Sequence, residues 1–307
     1  MTMIARRTQQ SLLLALSLTA LTGCDAINDW YAIEVAQRNM DNMVFVEGGE
    51  FLMGNPGGWA MGADTVPAHE VELDDFYIQK YEVTQGDFEI FVEASGHKIK
   101  ARFYEDKLSE SPDRFASELP APVSWHDAKA FCRWLGEQSG NDVDLPTEAQ
   151  WEYAARSRGR QVLHATDNGE LRPGQNISGK RLHRFDRFDA EHSPLNRPGF
   201  YPPNPLGLYD LSGNAEEWVN DYYSPDYYQS SERVNPKGPE TGKAVTVGPN
   251  SKEPERVIRG GGHYGDLIGS STVARRNVPE SSMPIASGFR CVRNKNILTY
   301  RISAGSK

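Results

Sequence analysis

The chain has 307 residues, a formal net charge of −9 and 38% hydrophobic residues, enough for a packed core in one large domain or two small ones. The acidic balance excludes a general nucleic-acid binder, because phosphate contacts need a basic face. The one basic run, Lys180-Arg181-Leu182-His183-Arg184, lies in a polar stretch and reads as a solvated loop, with an anion site as the alternative.

Arg6 and Arg7 precede an apolar run from Ser11 to Leu21, too short to cross a bilayer as a mature helix. The run ends in Leu21-Thr22-Gly23-Cys24, which resembles the bacterial lipobox. That resemblance implies removal of residues 1–23, lipidation of Cys24 and a multi-acyl membrane anchor. Asp25 resembles an inner-membrane retention signal, which would place the protein in the bacterial periplasm; the alternative is a plain polar linker residue. Residues 24–42 read as the lipidated cysteine and a tether. A weak helical signal over Asp29–Asn39 puts Trp30, Ile33 and Ala36 or Gln37 on one side.

From Met43 the pattern becomes that of a folded domain. Met43 to Gly54 reads as two short strands around the Gly48-Gly49 turn, and Val71 to Thr84 alternates as a strand. Thr84 is placed to cap a helix carrying Phe88, Phe91 and Val92 on one face. After a polar stretch from Gly96 to Pro122, Ser124 caps a second helix whose Trp125, Ala128, Phe131, Cys132 and Leu135 recur at helical spacing. Thr147 and Gln150 form a capping box for a third helix with Trp151, Ala154 and Ala155 inward. Residues 159–209 carry few periodic signals, and 221–254 read as a long surface loop rich in Tyr, Pro and Gly.

Val257-Ile258 reads as a buried strand that runs into Arg259-Gly260-Gly261-Gly262. Three consecutive glycines remove every Cβ and let another backbone or a ligand approach. Ser287-Gly288-Phe289-Arg290-Cys291 reads as a final short strand. This RGG…GFRC pair, with PVSW at 122–125, LPTEAQWEYAAR at 145–156 and PPNPLGLYDLSGNAEEW at 202–218, resembles the formylglycine-generating enzyme family, the sulfatase-modifying factor domains. The resemblance covers 43–294, leaving 295–307 as a C-terminal tail. It implies an α+β, C-type-lectin-like fold: a mixed, twisted sheet with two to three helices and long loops.

Further expectations follow from the resemblance. Cys132 and Cys291 are the two cysteines left after Cys24, and such a pair in an oxidising compartment invites a bridge. The family pairs cysteines at both positions; two buried free thiols are the alternative. Asp210 and Glu217 flank a glycine-containing turn, a weak motif for a hard cation by spacing alone. The resemblance implies structural calcium there, held with the carbonyls of Gly213 and Ala215. It implies a second site at Asn176, Ile177, Asp186 and Phe188. Glu217 paired only with an arginine, and Asp186 on the surface, are the alternatives.

The family's oxidases bind copper through two cysteines after the glycines. Here Gly265 stands at the first position and no cysteine occurs between Gly262 and Arg290, so no copper and no formylglycine generation are expected. Glu216 and Gly262 also depart from the usual residues. The seven histidines show no metal-binding spacing, and His263 is the lone candidate for pocket chemistry. The expectation is a non-catalytic binding or regulatory module whose ligand pocket holds Glu216, Arg259, Gly262, His263, Gly265 and Arg275. Family relatives suggest an envelope or secretion-system partner, with type VI secretion signalling as one setting. The alternatives are an oxidoreductase using a non-copper metal such as iron, and a purely structural envelope protein.

Overall fold

The computed structural model describes residues 30–59, 61–177, 195–248, 251–262 and 268–295. Cys24, the basic run at 180–184 and the tail from 296 onward lie outside them. In chain order the elements are α1 (30–41), β1 (Met43–Val46), β2 (Gly49–Met53), β3 (His69–Leu73), β4 (Phe76–Gln79), α2 (Gln85–Ser95), α3 (Tyr104–Glu110) and α4 (Trp125–Ser139). There follow β5 (Val143–Asp144), α5 (Glu148–Ala155), β6 (Glu216–Tyr222), β7 (Ala244–Gly248), β8 (Ser251–Arg259), β9 (Arg276–Pro279), β10 (Ser287–Phe289) and β11 (Val292–Asn294).

Helix starts are set locally. The hydroxyls of Thr84 and Ser124 accept from the amides of Asp87 and Asp127, and Thr147 and Gln150 complete a reciprocal capping box. Helices α2 and α4 stop at Gly96 and Gly140, both left-handed.

The fold is α+β. One antiparallel sheet has the order β1-β4-β11-β5. A second, mixed sheet has the order β10-β6-β8-β7, with β9 also on β8 and β10 parallel to β6. Alternation along β6 and β8 divides the interior in two. Trp218 and Ile258 face α4 with Phe131, Cys132 and Phe289. Val219 and Val257 face α5 with Trp151, Ala154 and Leu208. Cys132 and Cys291 are joined, with Cα atoms 5.6 Å apart, tying α4 to the link between β10 and β11.

The structure revises several expectations. β1 and β2 are not a hairpin: β1 pairs with β4 and β2 with β3, because the chain turns away at Gly48-Gly49. The expected strand from Val71 breaks at Asp74-Asp75 into β3 and β4. The polar stretch after Gly96 contains α3, and 221–254 holds the end of β6, all of β7 and the start of β8. The segment 30–41 is no tether but a docked helix. Ala32, Val35 and Ala36 are buried against the α4 core, and Asn39 bonds Asp87 and Gln79. Its outward side carries Trp30 and Ile33, opposite to the side that packs.

Candidate functional site

The glycine run has a structural cause. Gly260 and Gly261 adopt φ of 91° and 64°, and a Cβ on Gly261 would lie 2.5 Å from the backbone of Gly269. A neighbouring strand of chain, rather than a ligand, occupies that space. Gly262 is looser: a Cβ there would meet Ala286 at 3.3 Å and Glu216 Cγ at 3.5 Å. Glu216 is fixed by its amide bond to Ala286 O (2.9 Å) and by an ion pair with Arg276, a half-exposed side chain. Burial pushes the Glu216 carboxyl up, and Arg276 opposes it. Glu216 therefore lies beside Gly262 and links it to the half-exposed Arg276. His263 and Gly265 lie outside the described residues.

Arg259 and Arg275 do not line that pocket. On β8, Ile258 faces the α4 layer, so its neighbour Arg259 faces α5. There it donates to Glu148 (2.7 Å) and Glu152 (2.8 Å), and Arg275 holds both oxygens of Glu148 at 2.7 and 2.9 Å. Arg156 donates to Glu152 at 2.8 Å. These five side chains are buried, so each charge depends on the others. Burial would push the Glu148 carboxyl up, but Arg275 and Arg259 hold it net below its usual range. The sequence signalled this network only through i, i+4 spacing of Glu148, Glu152 and Arg156 on α5.

A second buried cluster sits around Arg290. Its guanidinium grips both oxygens of Glu217 at 2.6 and 2.7 Å, and Trp151 Nε1 donates to Glu217 at 2.9 Å. Both oxygens of Glu217 are thus engaged by Arg290, as in the arginine-paired alternative of the sequence. The carboxylates short of counter-charge are Glu82 and Asp210. Glu82 accepts from Asn214 and from the amide of Ala215, and Asp210 accepts from Gly199 N at 2.6 Å. Burial, then the charges of Asp210 and Glu217, push Glu82 well above its usual range despite Arg290. Burial pushes Asp210 up to about 6, against the Gly199 amide and Arg290.

Asp210 also borders a cavity of about 10 Å³, room for one water or ion. Asn176 and Ile177 line the same cavity, so the structure brings members of the two expected cation sets together. Asn176 is largely used in its own turn, bonding Arg172 N and Asp167. Asp186 and Phe188 lie outside the described residues. Among the described residues no three His, Cys, Asp or Glu side chains gather as a metal cluster. A hard cation fits here only in part: it would rest on Asp210 with amide and carbonyl oxygens, and Glu217 would not supply it.

A buried acid gives a pH test. Asp221 accepts from the amide of Glu148 at 2.8 Å; burial and the Glu148 charge push it up to about 8 from 3.8. The folded chain therefore keeps this proton where the unfolded chain has lost it. Its contribution to stability is complete below pH 3.8 and is lost as pH rises through about 8. The slope in that window is at most about 1.4 kcal/mol per pH unit. Asp221→Asn keeps the shape without the titration. Thermal melts from pH 5 to pH 8 should fall more steeply for the natural chain than for Asp221→Asn, and parallel curves would refute the assignment.

The chain and its fold match a known family. The profile of the sulfatase-modifying factor enzyme 1-like domain covers residues 31–295, so the chain belongs to the formylglycine-generating enzyme (sulfatase-modifying factor) family. The formylglycine-generating enzyme of Streptomyces coelicolor is 32% identical, spanning 85% of this chain and 91% of that protein. The inactive C-alpha-formylglycine-generating enzyme 2 of Mus musculus is 30% identical over 60% of this chain and 70% of its own. Among solved structures, PvdO from Pseudomonas aeruginosa superposes with a TM-score of 0.61 at 25% identity, covering 82% of this chain and 94% of PvdO.

Proposed function

We propose that this chain is a lipid-anchored, periplasmic, non-catalytic member of its family, acting as a binding or regulatory module for an envelope protein, with secretion-system signalling as the setting. One observation carries the proposal. The chain has three cysteines; Cys24 closes the lipobox, and Cys132 and Cys291 are bonded to each other. No thiolate remains for soft Cu(I) beside the glycine run. Similarity to a mouse protein named inactive supports a fold that outlives the reaction. The point where a ligand would meet the chain is instead the Glu216–Arg276 pair at the surface. A half-exposed arginine held by a largely buried carboxylate suits a polar protein loop that reaches Arg276. A structural calcium at Asp210, with the carbonyls of Gly213 and Ala215, belongs to the same proposal. Calcium would offset the charge of Asp210, the carboxylate that borders the cavity.

The test is affinity capture of the tagged full chain from its host's membranes, with metal analysis of the same eluate. The expected result is one reproducible envelope protein, reduced by Glu216→Ala and Arg276→Ala, with calcium and no redox metal near one per chain. Iron or copper near one per chain and no partner would overturn the proposal in favour of an oxidoreductase. Capture untouched by both substitutions would remove Glu216 and Arg276 from the binding site.

A further inference from the structure

The outward side of α1 is divided along its length. Trp30, Tyr31 and Ile33 are 58%, 46% and 62% exposed, three of the nine exposed large hydrophobic side chains among the described residues. They occupy the first turn. The rest of that side is polar: Glu34, Gln37, Arg38 and Asp41, with Gln37 bonded to Asp41 and Arg38 paired to Asp87. The inward positions Ala32, Val35, Ala36 and Asn39 already anchor the helix, so packing does not require the exposed residues to be apolar.

The patch continues onto the adjoining sheet. Ile33 and Tyr77 border one groove of about 430 Å³, and Tyr77 stacks with Phe45 at 5.2 Å. Two cations cover these rings, Arg293 over Tyr77 at 3.8 Å and Lys295 over Phe45 at 5.7 Å. The chain is acidic overall, yet this edge presents aromatic rings topped by positive charge. Aromatic side chains with a polar end favour the membrane–water interface.

The chain outside the structure says what covers the patch. Cys24 lies six residues before Trp30. At about 3.5 Å per residue those six residues span at most about 21 Å. A lipidated Cys24 therefore keeps the first turn of α1 next to the bilayer. The exposed apolar residues are at that end of the helix, and the polar ones at the far end.

We infer that the first turn of α1, Trp30, Tyr31 and Ile33, rests in the headgroup layer of the membrane that holds Cys24, fixing the orientation of the domain above it. The inference rests on the lipid-anchor reading proposed above. It makes 30–41 a rigid foot rather than a loose leash, so the Glu216–Arg276 point is presented to partners at a set height and angle.

The bridge between Cys132 and Cys291 and acylation of Cys24 leave an introduced cysteine as the sole free thiol. Full chain purified from membranes carries a fluorophore at Ile33→Cys or at Asp41→Cys, which is eight residues, or about 12 Å, further along the helix. Each is reconstituted in phosphatidylethanolamine–phosphatidylglycerol vesicles doped with nitroxide lipid. Quenching several-fold stronger at position 33 than at 41 is expected. It should disappear in a Trp30→Ser, Tyr31→Ser background whose thermal melt is unchanged. Equal, weak quenching at both positions in acylated protein would overturn the inference and leave the anchor standing. Acyl incorporation at Cys24 is measured separately by mass spectrometry. If it is absent, the anchor reading fails, and the docking inference is judged on the unacylated chain mixed with the same vesicles, where unquenched probes overturn it.

Discussion

Replacing Arg259 with methionine is expected to destabilise the domain by about 3–5 kcal/mol, the cost of removing one partner from a buried ionic set. In a domain of this size that lowers the melting temperature by roughly 10 °C. The reason is specific. Arg259 donates to Glu148 through Nη1 and to both Glu152 and Thr272 O (2.5 Å) through Nη2. Without it, Arg275 still holds Glu148 and Arg156 still holds Glu152, but each carboxylate loses a counter-charge in a buried site. Glu152→Met should cost a similar amount, since it would remove a partner from Arg156, Arg259 and the amide of Gly54 at once. The double substitution should cost at least about 1 kcal/mol less than the sum of the singles, because the two residues share one network. Urea unfolding of the four proteins decides it. A loss below about 1 kcal/mol for Arg259→Met, against the several expected from a broken buried pair, would show that the contacts are not formed.

The second large effect is that of the bridge. Cys132 and Cys291 are 159 residues apart, and closing a loop of that length is worth about 5 kcal/mol in the chain-entropy account. The link holds α4 to the segment between β10 and β11, whose Cys291 amide and carbonyl both bond Gln79 of β4. Breaking it frees the join between the two sheets. Cys132→Ser and Cys291→Ser should each lower the denaturation midpoint by the same amount, and the double substitution should add little more. Two singles that differ widely, or a midpoint that does not respond to reductant, would contradict the pairing. Thiol titration of the unfolded, unreduced chain should likewise find none beyond Cys24.

How much of this was legible in the chain follows from the range of each force. Helix caps are contacts across three residues, so Thr84, Ser124 and Thr147 announced their helices. The apolar faces at Trp125–Leu135 and Trp151–Ala155 were readable because burial imposes its period on adjacent turns. The helix at 30–41 was misread because its inward residues are small. Ala32, Val35 and Ala36 dock through closeness rather than bulk, while the conspicuous Trp30 and Ile33 point outward.

The site shows the same division. That Glu216, Gly262 and the glycine run belong together was legible from the motifs and the family resemblance they carry. The roles of Arg259, Arg275 and Glu217 were not. A charged residue looks the same in sequence whether it faces a pocket or a partner; here β8 turns Arg259 onto α5, β6 turns Glu217 onto Arg290, and Arg275, just before β9, meets Glu148. Glu82 gave no signal, because it joins Asp210 and Asn214 from more than a hundred residues away.

By itself the sequence determined the family, the α+β class, the caps and inner faces of three helices, and the absence of thiols beside the glycines. Each of these depends on residues close in the chain or on the simple presence of a side chain. The tertiary structure alone decided which strands pair, which carboxylates are neutralised and which side of α1 stays exposed. Those outcomes depend on contacts between distant segments, where burial makes every charge answer to neighbours that the order of residues does not reveal.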